Sequence, residues 1–390
     1  MPKNTNNLPY FKACKKPEEK LLANCLLRKF RPRIKEKFSQ HFLIQPIPFK
    51  ALNFIKETSK RYPYFLRFDI RLYYPSVNHQ ILVEKLPGIY QKASGKPISR
   101  RFKKYLKNEI PIFLSQSPYG KGLSIGSRLS WVLASVFLLD LDLNLKNPFL
   151  RQMDDYLVFC KNKKEPELLL KNLVLPKLKE LNLEINEKKL KSGKFHQDKV
   201  NFIGFDFFAG YFTIQEEKIE NFKKKIIKLT HLTRKNPKKA VIKSLNNQIL
   251  GFGHYYKFAH CKRTFEKLDG FVRMRLRRYL SRNKDSGNKE GNLFLTNKIL
   301  ENLGLKSLLK IKEKYTCRKR RIFRKAAKKA RKTGRRANLT LQLELEEKGH
   351  KYEQKLILAE LKKLTGLLGK LEKRIRKIEK KLERKNKGRI

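Results

Sequence analysis

Hydrophobic positions divide the chain into an alternating first half and a helical second half. Tyr64, Phe65, Leu66, Phe68 and Ile70 form a strand-like run around a single acid, Asp69. Residues 80–118 have helical spacing, and a glycine-bearing turn from Gly120 to Gly126 precedes a long apolar helix expected from about Leu129 to Leu143. Two short apolar runs, Pro148–Met153 and Tyr156–Cys160, flank Asp154-Asp155 and predict a β-hairpin with acids at its tip. A helix over 165–181 and a strand pair, Leu183–Ile185 with Asn201–Phe208, complete an α+β pattern. Residues 1–60 read as helical through Leu21, Leu22, Cys25, Leu26 and Phe30, and 216–280 read as helical and basic. A loop over 281–293, rich in turn formers, is the best boundary, and the chain from about 339 reads as one charged helix. No internal repeat is visible.

Charge changes this picture. The 390 residues hold 94 Lys and Arg against 35 Asp and Glu, a net +59. Self-repulsion of that size opposes a compact state unless a polyanion neutralises it, and nucleic acid is the natural partner. An acidic membrane surface is the lesser candidate. No apolar run reaches the ~20 residues a spanning helix needs. The first residues have no apolar core like a secretion signal, so a cytoplasmic location is expected. Cys14, Cys25, Cys160, Cys261 and Cys317 are scattered, which favours reduced thiols over a disulfide framework. His254, His260 and Cys261 lie close together in sequence but lack a fourth metal ligand.

The acids carry the candidate chemistry. An ionised carboxylate inside an apolar strand is costly unless it is paired or metal-bound. Asp69, Asp154 and Asp155, without His or Cys partners, suit a hard cation such as Mg²⁺. Two such ions can activate a 3′-hydroxyl and stabilise a departing pyrophosphate. Taken alone, Asp154-Asp155 is more often a solvated turn. The surrounding motifs reverse that balance.

FDIRLYYPSV (68–77), GLSIGSRLS (122–130), QMDDYLVF (152–159), LNLEINEKKL (181–190) and NFIGFDFF (201–208) occur in the order and spacing of reverse-transcriptase palm motifs. The chain thus resembles bacterial retroelement-type reverse transcriptases: group II intron, diversity-generating and defence-associated enzymes. The resemblance implies metal binding by Asp69, Asp154, Asp155 and the Ile70 backbone, with two Mg²⁺ ions and Mn²⁺ as a possible substitute. It implies substrate contacts from Ile70, Arg71, Tyr74, Gly122, Ile125 and Gly126, with Tyr74 crowding a ribose 2′-hydroxyl. Lys189 would protonate or neutralise the leaving pyrophosphate, and Phe202, Ile203, Gly204 and Phe205 would form a primer grip, glycine letting the backbone approach the primer. Ordinary packing remains open for Tyr74, as does a solvent role for Lys189. Gln152 stands where Tyr is usual, and Ser124-Ile125-Gly126 stands where Pro-Gln-Gly is common. No fingers strand for the triphosphate is found. Arg67, Arg71, a basic residue of 28–33, another subunit or bound RNA would have to serve.

Residues 244–280 resemble the region that follows the palm in group II intron enzymes, with Gly251, Tyr255, Tyr256, Phe265 and Leu268 in place. Those aromatics serve RNA stacking or the thumb's own core. Between Cys317 and Arg336, 12 of 20 residues are basic and none acidic, which marks Arg318, Lys319, Arg320, Arg321, Arg324 and Lys325 as RNA-binding candidates. Ile357, Leu361, Leu364, Leu368, Leu371, Ile375, Ile378 and Leu382 form a heptad seam, interrupted by Gly366 and Gly369. It predicts self-association or a partner helix, with packing on RNA or on the thumb as alternatives. The expected fold is an α+β right-hand polymerase with a basic helical C-terminal extension. Reduced fingers span 1–60, the palm 61–210, a maturase-like helical thumb 211–315 and the basic helix with coiled-coil tail 316–390. Expected partners are an RNA template or structured non-coding RNA, the cDNA product and dNTPs. The resemblance further implies a domesticated enzyme of antiviral defence or sequence diversification. The alternative is an RNA-binding maturase-like scaffold with weak or no polymerase activity.

Overall fold

The structure, a computed structural model, describes residues 48–94, 97–115, 120–231, 237–281 and 294–332. Residues 1–47, the loop 282–293 and the heptad seam therefore lie outside the described residues.

Alternation in two strands builds the centre. β1 (Tyr64–Asp69) pairs antiparallel with β3 (Asp155–Cys160), and β2 (Phe149–Gln152) and β4 (Lys191–Lys194) flank them in the order β2-β3-β1-β4. Successive side chains point to opposite faces. Leu66 and Phe68 of β1, with Tyr156 and Val158 of β3, enter one core beneath α3 (His79–Ser94), α4 (Arg100–Leu114), α5 (Arg128–Phe137) and α6 (Leu139–Asn144). Phe65, Leu157 and Phe159 enter a second core on the other face. That core also takes α1 (Pro48–Thr58) and a separate three-stranded sheet, β5 (Val200–Phe202), β6 (Phe205–Phe208) and β7 (Tyr211–Ile214). The helices α9 (Glu216–Leu229), α10 (Lys238–Tyr256) and α11 (Lys262–Ser281) close it. Phe265, Leu268 and Tyr256 are buried there, so for these residues the core role holds.

Three expected elements differ. The long helix over 129–143 breaks at Leu138, whose N–H bonds back to the Val136 carbonyl, and restarts as α6. The expected strand pair 183–185 with 201–208 does not form. Ile185 makes only an isolated bridge to Ile70, while Phe202 and Phe205 close a hairpin within the second sheet. The strand beside β1 is instead Lys-Ser-Gly-Lys at 191–194, an edge strand whose polar composition hides it from hydrophobic alternation. The helix over 165–181 begins as α7 (Glu165–Leu169), widens into a π-turn (Leu170–Val174) and ends as α8 (Leu175–Glu180). Pro176 has no N–H to continue the α ladder, which accounts for the widening just before it.

After the short α12 (Asn297–Asn302), Asp269 on α11 caps the first turn of the last described helix, α13 (Leu308–Lys332). Its buried carboxylate accepts from the N–H groups of Leu308 and Leu309 at 2.8 and 3.0 Å and from the Ser307 hydroxyl at 2.6 Å. These are the unsatisfied donors of a helix start, capped by a side chain from another helix. Of the described residues, 313–332 belong to a unit separate from the rest.

Candidate active site

The β1–β3 register sets Asp69 directly opposite Asp155, and the two-residue turn Met153-Asp154 carries the third acid at the hairpin tip. Met153 adopts φ +59°, an unusual conformation for a side chain of its size. The Asp154 carbonyl accepts from the Ile70 N–H at 3.3 Å, so the tip is stitched to the end of β1.

Like charges directly across a sheet are unfavourable. Burial, helped by the neighbouring Asp69 charge, pushes Asp154 up from 3.8 to about 6. Burial also raises Asp155 to about 6, although Arg67 beside it pulls the other way. Lys189, in a short 3₁₀ turn at Glu187–Lys189, places Nζ 2.8 Å from Asp69 Oδ2, and the Asn186 amide lies 3.4 Å from Oδ1. The lysine thus stands within the acidic cluster and neutralises Asp69.

Asp155 departs from expectation. Its Oδ2 accepts from Arg67 at 3.1 Å, and its Oδ1 is buried without a hydrogen-bond donor. Among the described residues, no three His, Cys, Asp or Glu side chains come close enough to hold one metal ion together. The cross-strand guanidinium holds Asp155 here, while the charges of Asp69 and Asp154 still act on it. Arg67, one of the residues named for the triphosphate, is buried and paired with Asp155. The donors still fit a divalent cation. Mg²⁺ is commonly held by one or two carboxylates and completes its shell with water and substrate phosphate. Asp69 and Asp154 could supply that pair, with the orphaned Asp155 oxygen as a further oxygen donor.

Around the acids, the first two motifs dock through their backbones. Gly122 donates to the Val77 carbonyl at 2.8 Å, and Leu123 donates to the Tyr74 carbonyl at 2.9 Å. His79 Nε2 donates to the Gly122 carbonyl at 2.7 Å. Gly122 has φ +93°, and a Cβ there would lie 3.4 Å from the Pro75 carbonyl oxygen, so both conformation and space call for glycine. Gly126, at φ +90°, follows the exposed Ile125 and faces open space. Tyr74, on the short helix α2 (Tyr73–Ser76), is half-buried, and burial together with the Asp154 charge holds its hydroxyl protonated far above the usual range. Ile70 is buried, so only its backbone can meet a substrate. Arg71 is exposed, 3.3 Å from Glu184.

The grip segment is the hairpin turn between β5 and β6. Phe202 and Phe205 are core residues, while Ile203 and Gly204 form the turn at φ +44° and +83°. A Cβ on Gly204 would sit 2.7 Å from the Tyr256 hydroxyl, and the Tyr255 hydroxyl donates to the Ile203 carbonyl at 2.9 Å. Glycine there leaves room for the Tyr256 hydroxyl. The basic residues Arg318, Lys319, Arg320, Arg321, Arg324 and Lys325 all lie in α13, with Arg318, Arg320 and Arg321 exposed. His260 bonds to the Phe212 backbone, and the buried Cys261 thiol donates to the Tyr256 carbonyl. Among the described residues no helix is long and apolar enough to cross a membrane.

Sequence reasoning missed Arg151, Asp142 and Tyr156. Arg151 is fully buried at 2.7 Å from Asp142, which also accepts from the Tyr156 hydroxyl at 2.7 Å. The signal was present. A cation in an apolar strand and an acid in an apolar helix call for partners as much as Asp69 does.

Residues 14–207 match the family "Reverse transcriptase (RNA-dependent DNA polymerase)", beginning well upstream of the first palm motif. Residues 219–293 match "Group II intron, maturase-specific domain". Among solved structures, the chain is similar to telomerase from Candida albicans in complex with a TWJ fragment of telomeric RNA. Identity is 11% over 68% of this chain and 52% of that one, with a TM-score of 0.39. For apo telomerase from Candida tropicalis, identity is 14% over 73% of this chain and 51% of that one, with a TM-score of 0.41. The chain spans about half the length of these telomerase chains. No curated protein matches it.

Proposed function

Because the chain belongs to the bacterial retroelement-type reverse transcriptases, with a right-hand polymerase fold and a group II intron maturase-specific domain, we propose that it synthesises cDNA on an RNA template. The observation that carries this reading is the closeness of Asp69, at the end of β1, to Asp154 in the hairpin turn, with Lys189 and Tyr74 beside them. Asp69 and Asp154 would hold divalent metal, with Asp155 and the Ile70 backbone completing the site. Bound there, such ions would supply Lewis acidity for a primer 3′-hydroxyl and for departing pyrophosphate.

The chain's own groups do the rest. Tyr74 stays a neutral phenol and closes the space that a ribose 2′-hydroxyl would need. Lys189 is positioned to pass from Asp69 to the charge that develops on pyrophosphate. Gly122, Ile125 and Gly126 line the path of the incoming base pair, and the exposed Arg71 is available to the triphosphate. The basic face of α13 would hold RNA through its phosphates. A domesticated role in defence or diversification extends this reading and is supported by the Gln152 and Ser124-Ile125-Gly126 departures.

One observation favours a maturase-like scaffold instead: Asp155 is paired with Arg67. Incubating the full chain with a primed RNA template, dNTPs and Mg²⁺ separates the two. Extension to an alkali-resistant, DNase-sensitive product supports the polymerase. Tight RNA binding without extension supports the scaffold.

A further inference from the structure

The helix break at Leu138 leaves the last carbonyls of α5 without intrahelical donors. Side chains from two different motifs fill two of those places. The Tyr73 hydroxyl donates to the Ala134 carbonyl at 2.5 Å, and an Arg151 amino group donates to the Ser135 carbonyl at 3.0 Å. Tyr73 immediately precedes Tyr74, and their rings meet edge-on with centroids 6.1 Å apart. Arg151 stands at the other motif. Its second amino group donates to the Met153 carbonyl at 2.9 Å, inside the turn that carries Asp154. The negative pole of a helix C-terminus also favours a guanidinium at that place.

Stability alone does not explain this arrangement. The Arg151 and Asp142 side chains are 2% and 0% exposed, and apolar residues of similar volume often serve a core as well as a buried ion pair. What the ion pair adds is direction. A planar guanidinium reaches Asp142, the Ser135 carbonyl and the Met153 carbonyl at once, which a lysine cannot do. The turn also needs holding, because Met153 is kept at φ +59°.

We propose that Arg151, Asp142 and Tyr73 form one positioning device, which pins the Asp154 turn and the Tyr74 segment to the same helix end so that metal-site geometry and sugar choice are set together. The inference rests on the polymerase reading. None of the three touches substrate. Their effect passes through Asp154 and Tyr74.

The test uses the full chain carrying Arg151→Lys or Tyr73→Phe. Single-nucleotide primer extension gives kcat, KM and the deoxy-to-ribonucleotide ratio, measured below each variant's melting temperature. Arg151→Lys should lower kcat by about ten- to hundredfold with the KM for dNTP little changed, because the turn is misplaced while the nucleotide pocket remains. Both variants should lower the deoxy-to-ribo ratio, by about threefold or more, with Tyr74 itself intact. A purely structural role would reduce the active fraction for both sugars equally. An unchanged ratio in both variants, or a wild-type kcat in Arg151→Lys, overturns the proposal. If Arg151→Lys does not fold, the ratio in Tyr73→Phe decides. An inactive wild-type protein would be a failure of the polymerase reading, recognisable because it precedes any comparison of variants.

Discussion

Asp154→Asn should make the protein more stable at pH 8, because the site stores unfavourable charge for a cation to relieve. Burial and the Asp69 charge raise the folded-state pKa of Asp154 from 3.8 to about 6. A shift of about two units at ~1.4 kcal/mol each sets an upper limit of about 3 kcal/mol. The hairpin tip is half-buried, and partial solvation reduces the expected gain to about 1–2 kcal/mol. The sign follows from proton counting. A folded-state pKa above the unfolded one means that the folded protein binds more protons between about pH 4 and pH 6. Stability present below that window is lost as pH rises through it and stays lost above. Asparagine keeps the volume and removes the charge, so variant and wild type should differ at pH 8 and converge near pH 4. Thermal unfolding without divalent ions reads this as a rise of a few degrees at pH 8, at about 2–4 °C per kcal/mol for a large domain. Adding Mg²⁺ should then raise the wild-type melting temperature more than the variant's, since ligand binding stabilises by mass action. A variant less stable than wild type at pH 8, or a gain that persists at pH 4, would show that Asp154 makes net favourable contacts in the folded chain.

Three further outcomes follow. Tyr74→Ala should raise ribonucleotide use relative to deoxynucleotide use in single-turnover extension, and unchanged discrimination would make Tyr74 a packing residue. Asp269→Ala removes the acceptor for three donors at the start of α13 and should cost about 2–4 kcal/mol in urea unfolding. A loss below about 0.5 kcal/mol would show that water replaces the carboxylate without cost. Truncation after Tyr315 removes the basic cluster of α13 and the heptad seam, and should weaken RNA binding and flatten its salt dependence. An unchanged slope would take that segment out of the RNA interface.

Strong, local patterns were legible in the amino-acid order. β1 and the hairpin announce themselves because apolar runs surround lone acids, and α9 to α11 because their apolar residues recur at helical spacing. The palm and thumb follow from those elements together with the motif order. What stayed hidden depends on register or on breaks without local punctuation. Nothing between Leu129 and Leu143 marks Leu138 as a stop, since no glycine or proline stands there. The partners of the carbonyls at the break, Tyr73 and Arg151, arrive from 61 and 16 residues away. The pairing of Arg67 with Asp155 likewise needs the antiparallel register, which places residues 88 apart on one face. The polar edge strand at 191–194 carries no alternation to read.

Incorporation of labelled deoxynucleotides on a primed RNA template, by the wild type and by Asp154→Asn combined with Asp155→Asn, tests the central claim most directly. Wild type should extend the primer in Mg²⁺, and the double variant should bind RNA and remain folded while incorporation falls to background. Incorporation by the double variant at the wild-type rate, in protein free of host polymerases, would contradict the assignment of the carboxylates.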